Sequence, residues 1–321
     1  MTGQVSAVFL GTLLGATVAH GQPESTGTKA AAQRVPVDSV RFWNHRYNEF
    51  FRSNRDFSYI APNGELGAPS QYVINGELIA SYFLLDTPKS RFSLAVTQRF
   101  MARTRTDRSS PIRTPSFRLG TQVFYRLSTN VTHYKYLEAQ FFHHSNGQDG
   151  PVFRPNGTIN TETGDFSTNY LQATYNWGTH TRHGTYYNLG YRWHAPLFTH
   201  SEGLAGHYGF GRLVGQATVK LLARSADDPS TSVQTERFRL SLQASYAVNN
   251  LAGWGVAAAQ RRLNVELSAW YIPAFSRDTG IFATAGYYGE DPYNIYFNDR
   301  YTFIRFGIAA GFTRYSDEIR K

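Results

Sequence analysis

The segment Tyr301–Thr313 reads YTFIRFGIAAGFT, and its side chains alternate between two kinds along most of its length. One set is apolar and consists of Ile304, Phe306, Ile308, Ala310 and Phe312. The other set is small or polar and consists of Arg305, Gly307, Ala309, Gly311 and Thr313. Because successive side chains of a β-strand point to opposite faces, this period of two predicts a strand with one apolar face. Such a strand suits a membrane β-barrel with its apolar side outward, although a soluble β-sandwich has a similar alternation.

Similar alternating segments recur along the chain and are separated by residues typical of turns. Roughly twelve can be recognised, and an even number of strands is usual in bacterial single-chain barrels. They cover about residues 56–61, 73–86, 90–101, 116–127, 133–145, 167–177, 184–194, 207–223, 236–247, 259–272, 280–289 and 301–313. We therefore predict an all-β protein whose residues 56–321 form a membrane-spanning antiparallel β-barrel of about 12 strands.

The composition excludes a helical membrane protein and is compatible with a barrel. A spanning helix needs a run of about 18 apolar residues, which the chain lacks, and the mean hydropathy is −0.41. Barrel strands need only ~10 residues and show every second one to lipid. The 21 Tyr and 23 Phe suffice for aromatic girdles. The net charge of +9 is scattered without a basic run, so we expect contact with anionic lipid phosphates and no nucleic-acid partner.

Residues 1–21 are predicted to be a signal peptide. Val5–Val18 supplies an apolar core, and Ala19 and Gly21 are the small residues expected before a cleavage site. A short membrane anchor is the alternative interpretation of this segment. Residues 22–55 lack a sustained strand alternation and begin with a stretch rich in Ser, Thr, Ala and Lys. We therefore expect a partly disordered periplasmic lead-in before the barrel.

The heptapeptide Phe141–Gly147, FFHHSNG, carries candidate catalytic side chains. On a strand, His143 and Ser145 share the more apolar of the two faces. The segment 167–177 has a similar apolar face, and Asn169 belongs to it. If the two segments pair as an antiparallel hairpin, Asn169 can lie beside His143, because directly opposed residues have Cβ atoms about 5 Å apart.

These residue types form a Ser-His-Asn set suited to acyl transfer. Ser145 would be the nucleophile, His143 the general base, and Asn169 the group that orients the other imidazole nitrogen. A neutral amide also avoids an anion next to lipid, where ionised groups are costly. His144 lies on the opposite face and is expected to be structural. The alternative is that His143 belongs to an aromatic girdle and that residues 145–147 form only a hairpin turn.

The other histidines show no spacing typical of metal ligands. Asp149 and Asp165, by contrast, are hard oxygen donors of the kind that Ca²⁺ prefers. A cation beside Ser145 would polarise an ester carbonyl and stabilise the oxyanion. Solvated loop acids are the alternative interpretation of both aspartates.

Four blocks of this sequence resemble, in order, motifs of the outer-membrane phospholipase A family. Ser109–Arg113 is similar to a Ser-Ser-Pro-Phe-Arg block that precedes the active-site hairpin in the family. The family's His-x-Ser-Asn-Gly motif stands at His143–Gly147, and its later Ser-x-Asn stands at Ser167–Asn169. Gly286–Asn294 is similar to a block before the last strand. The resemblance covers most of the chain after about residue 55, and the loop after Ser145 is longer here than in the family.

This resemblance implies a phospholipase A1 or A2 of the bacterial outer membrane, which hydrolyses acyl esters of glycerophospholipids at the lipid-facing wall of a barrel. The implied catalytic residues are His143, Ser145 and Asn169. The resemblance also implies calcium dependence and a homodimer. The implied ligands of the Ca²⁺ ion are the carbonyl of Gln148, the side chain of Asp165, and Ser109 of the partner subunit.

Two other functions are compatible with the sequence. A non-enzymatic barrel, either a porin or a structural protein, would keep only the hairpin turn. A structure of such a barrel would show His143 and Ser145 directed into the lumen, or Asn169 distant from both. A barrel esterase acting on another acyl lipid, such as lipopolysaccharide, would share the site and differ in its substrate.

Overall fold

The computed structural model describes residues 37–62, 64–69, 72–106, 112, 115–198, 200–224, 234–276, 279–311 and 314–315. The predicted signal peptide and the first part of the predicted lead-in lie outside this described part of the chain, as does Ser109. None of the helices in the described residues is long and apolar enough to cross a membrane.

Twelve strands form a closed antiparallel β-barrel, which confirms the fold predicted from the sequence. They are β1 Ser58–Pro62, β2 Tyr72–Leu85, β3 Phe92–Arg105, β4 Ser116–Arg126, β5 His133–Ser145, β6 Thr168–Thr179, β7 His183–Ala195, β8 Gly211–Arg224, β9 Gln234–Ala247, β10 Leu263–Tyr271, β11 Thr279–Tyr288 and β12 Tyr301–Ala310. Each strand pairs with its neighbours in sequence, and β12 pairs with β1 to close the sheet. A two-residue strand, β13 Arg314–Tyr315, pairs with the start of β9.

The alternation along the strands separates an apolar outer wall from a polar lumen. On β12, Ile304 and Phe306 are exposed while Arg305 between them is buried. Arg305 donates hydrogen bonds to Glu65 at 2.7 Å and to Glu266 at 2.5 Å. Because an unpaired buried charge is costly, such pairs let the lumen hold ionised groups while the outer wall remains apolar.

A helix fills one end of the lumen. This helix, α1, spans Val37–Ser53 within the predicted lead-in. Its buried aromatic residues Tyr47, Phe50 and Phe51 pack against Phe124 of β4 and Tyr134 and Tyr136 of β5. Asn48 also donates a hydrogen bond of 2.8 Å to the carbonyl of Asp86, in the connection between β2 and β3. The helix is thus fixed both to the inner wall and to the turns at this end of the barrel.

The opposite end is covered by long connections between strands. Two short 3₁₀ helices, Glu202–Leu204 and Asn294–Tyr296, belong to this cover. Its buried apolar cluster contains Tyr72, Phe166, Leu204, Tyr208, Tyr293 and Phe297. Between the cover and α1, the lumen contains a polar cavity of about 320 Å³. The connection between β5 and β6, which follows the predicted catalytic residues, is part of this cover.

The sequence predicted that a strand begins at residue 259, but β10 begins at Leu263. The four residues before it form a short helix, α2 Ala259–Arg262. Arg262 donates hydrogen bonds to the carbonyls of Ala247 and Gly255, both at 2.8 Å. These contacts with carbonyls outside the four-residue segment favour a turn where local alternation alone favours a strand.

Candidate active site

The hairpin of β5 and β6 brings the predicted catalytic residues to one place. Its register sets His143 directly opposite Asn169. His143 and Ser145 lie on the outer face of β5, whereas His144 is buried on the inner face. A slip of one residue would turn the whole apolar set of β5 toward the lumen, so burial of the inner face fixes this register.

A hydrogen bond joins His143 to Asn169, with 2.8 Å between His143 Nδ1 and Asn169 Oδ1. The amide nitrogen of Asn169 donates a hydrogen bond to the carbonyl of Leu197. Because this contact assigns Oδ1 as the acceptor, Nδ1 of the neutral imidazole must carry the proton. Nε2 is then unprotonated and available as a general base.

Ser145 is the last residue of β5 and is half-buried on the outer face, opposite Phe117 of β4. It follows His143 by two positions, which on a strand corresponds to about 7 Å along the chain. No hydrogen bond joins its hydroxyl to any of the residues that the structure describes. A hydroxyl in this state is available to a substrate, and the contact between a nucleophile and its base commonly tightens only when substrate is bound.

The connection after Ser145 is held by a buried asparagine. Asn146 donates a hydrogen bond of 2.8 Å to the carbonyl of Gly164, and its Oδ1 accepts one of 3.1 Å from the N–H of Phe166. Further along, the N–H of Asp165 donates to the carbonyl of Gly150 at 2.8 Å. The two ends of the loop are therefore joined side by side next to Ser145, despite the length of the segment between them.

The predicted calcium ligands are only partly within the described residues. Gln148 and Asp165 lie on the two joined ends of the loop, and Asp165 Oδ1 accepts hydrogen bonds from the N–H and hydroxyl of Ser167. Its Oδ2 accepts none from the described residues, so a carboxylate oxygen is available to a hard cation. Asp149 is exposed, and Ser109 lies outside the described part of the chain. Within that part, no group of three His, Asp or Glu residues is arranged to hold a metal ion.

A second serine and histidine lie behind the site, on the inner face. His144 Nε2 and Ser116 Oγ are 2.7 Å apart, and both side chains are buried. Their burial leaves no access for a substrate, in agreement with the structural role predicted for His144. The pair fixes β4 to β5 directly behind His143.

Sequence reasoning missed one contributor to the site, the carbonyl of Leu197. It lies just after β7, whose last residue, Ala195, pairs with Asn169. Every residue type carries a backbone carbonyl, so no side-chain pattern could have identified it. Only the path of the chain after the strand brings it to Asn169.

Comparisons with solved structures identify the same fold in outer membrane phospholipase A. The enzyme from Escherichia coli matches with a TM-score of 0.55 and 11% identity, over 84% of this chain and 97% of that chain. A calcium-bound dimer of the Salmonella typhi enzyme matches with a TM-score of 0.54 and 12% identity, over 79% and 90% of the two chains. An asparagine-to-alanine active-site mutant of the E. coli enzyme matches with a TM-score of 0.54 and 12% identity, over 85% and 97%.

The comparisons with sequences found no counterpart. No protein-family model matches the chain, and no curated protein matches it. The resemblance predicted from short motifs is therefore confirmed at the level of the fold, where the similarity extends over nearly the whole length of the E. coli chain.

Proposed function

We propose that this chain is an outer-membrane phospholipase that hydrolyses acyl esters of glycerophospholipids. The observation that carries the proposal is the contact of 2.8 Å between His143 Nδ1 and Asn169 Oδ1, with Ser145 on the same outer face. The fold shared with outer membrane phospholipase A supports it. The E. coli enzyme also has an asparagine in its active site, which supports the role given to Asn169.

The proposed reaction begins with attack of Ser145 Oγ on the carbonyl carbon of the ester. His143 Nε2 takes the serine proton, while Asn169 holds the imidazole through Nδ1. The tetrahedral intermediate then collapses, the ester C–O bond breaks, and the proton passes from His143 to the departing alcohol oxygen of the lysolipid. Water, deprotonated by His143, then attacks the acyl carbon of the acyl-enzyme. The bond from this carbon to Ser145 Oγ breaks, His143 returns the proton to Oγ, and the fatty acid departs.

The substrate reaches this site from the bilayer. Leu119, which pairs with His143 across β4 and β5, is exposed on the outer wall. Phe117 and Leu171 of the neighbouring strands are exposed as well. An apolar wall of this kind lies against lipid acyl chains. A glycerophospholipid ester can therefore approach Ser145 laterally, without entering the lumen. The fold shared with outer membrane phospholipase A supports a location in a bacterial outer membrane.

We propose a calcium ion and a homodimer for the active form, for which the calcium-bound dimer of the Salmonella typhi enzyme is the precedent. The carbonyl of Gln148, the available oxygen of Asp165, and Ser109 of the partner subunit would hold the ion. A bound Ca²⁺ would polarise the ester carbonyl and stabilise the oxyanion. The hydrogen bonds from Ser167 to Asp165 orient the carboxylate for this purpose.

Two observations argue against a porin. His143 and Ser145 point away from the lumen, and Asn169 is in contact with His143. The lumen is also filled by α1 at one end and covered by the buried loop cluster at the other. A solute-conducting pore needs an open path between those ends.

The test is fatty-acid release from phosphatidylcholine in mixed micelles by the refolded protein, with calcium and with a chelator. We expect calcium-dependent release by the natural protein and none by Ser145→Ala. Ser268→Ala is the matched control, since it removes a serine hydroxyl from the inner face of β10, away from the site, and should retain activity. Fatty-acid release by Ser145→Ala at the same rate as by the natural protein would contradict the proposal. Faster hydrolysis of lipopolysaccharide acyl groups than of phospholipid would favour the esterase alternative.

A further inference from the structure

The chain after β7 folds back over the outer wall at the candidate site. Asn169 lies at an outward-facing position of β6, yet it is only 1% exposed. Other residues of the same face, such as Leu171 and Tyr175, are exposed. The carbonyl of Leu197 accepts a hydrogen bond from the Asn169 amide. The segment 196–198 therefore covers the contact between His143 and Asn169 from the lipid side.

Phe198 has an unusual backbone and an unusual exposure. Its φ is +55°, and it is the one residue other than glycine with a positive φ in the part of the chain that the structure describes. A bulky side chain is disfavoured in this left-handed region. The residue is nevertheless 81% exposed, so burial does not compensate for the conformation. Conformations of this kind are concentrated at functional sites, where the position of a side chain serves a ligand.

The ring of Phe198 extends an apolar surface beside His143. It meets the ring of Phe141 edge to face, with 5.9 Å between centroids and 65° between planes. Phe141 precedes His143 by two positions on the same outer face and pairs with exposed Leu171 of β6. We call Phe141, Leu171 and Phe198 the acyl shelf.

We infer that the acyl shelf binds the acyl chain of the ester, and that Phe198 sets a preference for long chains. The inference rests on the proposed function. An acyl chain in a membrane or micelle is already in an apolar medium, so the shelf contributes by packing and by ordering the chain. Phe141 lies four residues before Ser145 on β5, about 13 Å along the strand, so the two rings contact only the more distant part of a long chain. Restricting the path of that part helps to align the ester carbonyl with Ser145. A chain too short to cross the shelf receives no such alignment.

The experiment compares hydrolysis of p-nitrophenyl palmitate and p-nitrophenyl butyrate in detergent micelles. The variant Phe198→Asn removes the ring, while asparagine tolerates a positive φ and so keeps the Leu197 carbonyl in place. Phe275→Asn is the matched control. Phe275 is 91% exposed and lies between β10 and β11, at the barrel end away from the site. The ratio of the two rates does not depend on the fraction of protein that has folded.

We expect Phe198→Asn to lower the ratio of palmitate to butyrate rates about tenfold, a size typical of changes in an apolar pocket. The butyrate rate should stay within about twofold of the natural protein, and Phe275→Asn should change neither rate. Hydrolysis of both esters by Phe198→Asn with an unchanged ratio would overturn the inference alone. A natural protein that hydrolyses phosphatidylcholine but not p-nitrophenyl palmitate would also overturn the inference alone. Absence of hydrolysis of both these esters and phosphatidylcholine by the natural protein would overturn the proposed function, and the inference with it.

Discussion

Replacement of Asn169 by aspartate tests how the site holds its histidine. The amide uses both ends, since Oδ1 faces His143 Nδ1 at 2.8 Å and the nitrogen donates to the carbonyl of Leu197. Asn169→Asp keeps the shape and the acceptor for His143. It loses the donor, so a carboxylate oxygen would face the Leu197 carbonyl at a position that is 1% exposed.

Two opposing effects decide the outcome. A charged acceptor makes a stronger hydrogen bond to an imidazolium than an amide does, which by itself would favour the variant. A buried acceptor left without its donor costs about 1–3 kcal/mol. If the carboxylate turns away from the carbonyl to relieve this cost, it also turns away from His143. At about 1.4 kcal/mol for each tenfold in rate, kcat should fall roughly 5- to 150-fold.

The assay is kcat for phospholipid hydrolysis in mixed micelles, with folding checked by circular dichroism. Asn169→Ala, which loses both contacts, is the comparison and should be at least as slow as Asn169→Asp. An aspartate variant as active as the natural protein, or more active, would refute the role assigned to the Leu197 carbonyl.

Three further predictions concern pH, calcium and the lumen. Burial, with a smaller contribution from Asp291, raises the pKa of Asp299 to about 6, in the connection between β11 and β12. The pKa of an aspartate in an unfolded chain is about 3.9, so the folded protein binds the proton of Asp299 more tightly than the unfolded chain does. The free energy of unfolding is therefore highest below about pH 4 and falls as the pH rises through about 6. Asp299→Asn should therefore raise the urea midpoint more at pH 8 than at pH 5, and an equal change at both would contradict the assignment. Asp165→Asn keeps an acceptor for Ser167 but has no charge to offer a cation, so about tenfold more calcium should be needed for half-maximal hydrolysis; an unchanged calcium titration would remove Asp165 from the ligand set. In planar bilayers the protein should show no steady conductance, because α1 and the loop cluster fill the two ends of the lumen. Stable open channels would contradict this prediction and favour a porin.

The barrel could be predicted because lipid and lumen impose opposite requirements on successive residues. On β12, exposed Ile304 and Phe306 alternate with buried Arg305, as these opposite requirements predict. The same alternation, together with the assumption that the two segments form a hairpin, predicts that His143 lies beside Asn169. The register of β5 and β6 has this pairing. Their catalytic roles stay a prediction until activity is measured.

Other parts of the molecule depend on contacts that local patterns do not encode. Helix α1 fits the lumen because Phe50 and Phe51 meet aromatic residues far along the chain. The turn at Arg262 is stabilised by carbonyls that its own segment does not contain. The carbonyl of Leu197 is a backbone group, so its place beside Asn169 follows from the tertiary path alone.

The central claim, that Ser145 is an activated nucleophile, is tested most directly by labelling with an alkyl fluorophosphonate followed by peptide mass spectrometry. Attack of the serine oxygen on phosphorus displaces fluoride and leaves a stable adduct. We predict one adduct per chain, located on Ser145, abolished by Ser145→Ala and strongly slowed by His143→Ala. An unlabelled Ser145 in folded protein, or equal labelling of Ser145→Ala at another residue, would contradict the account.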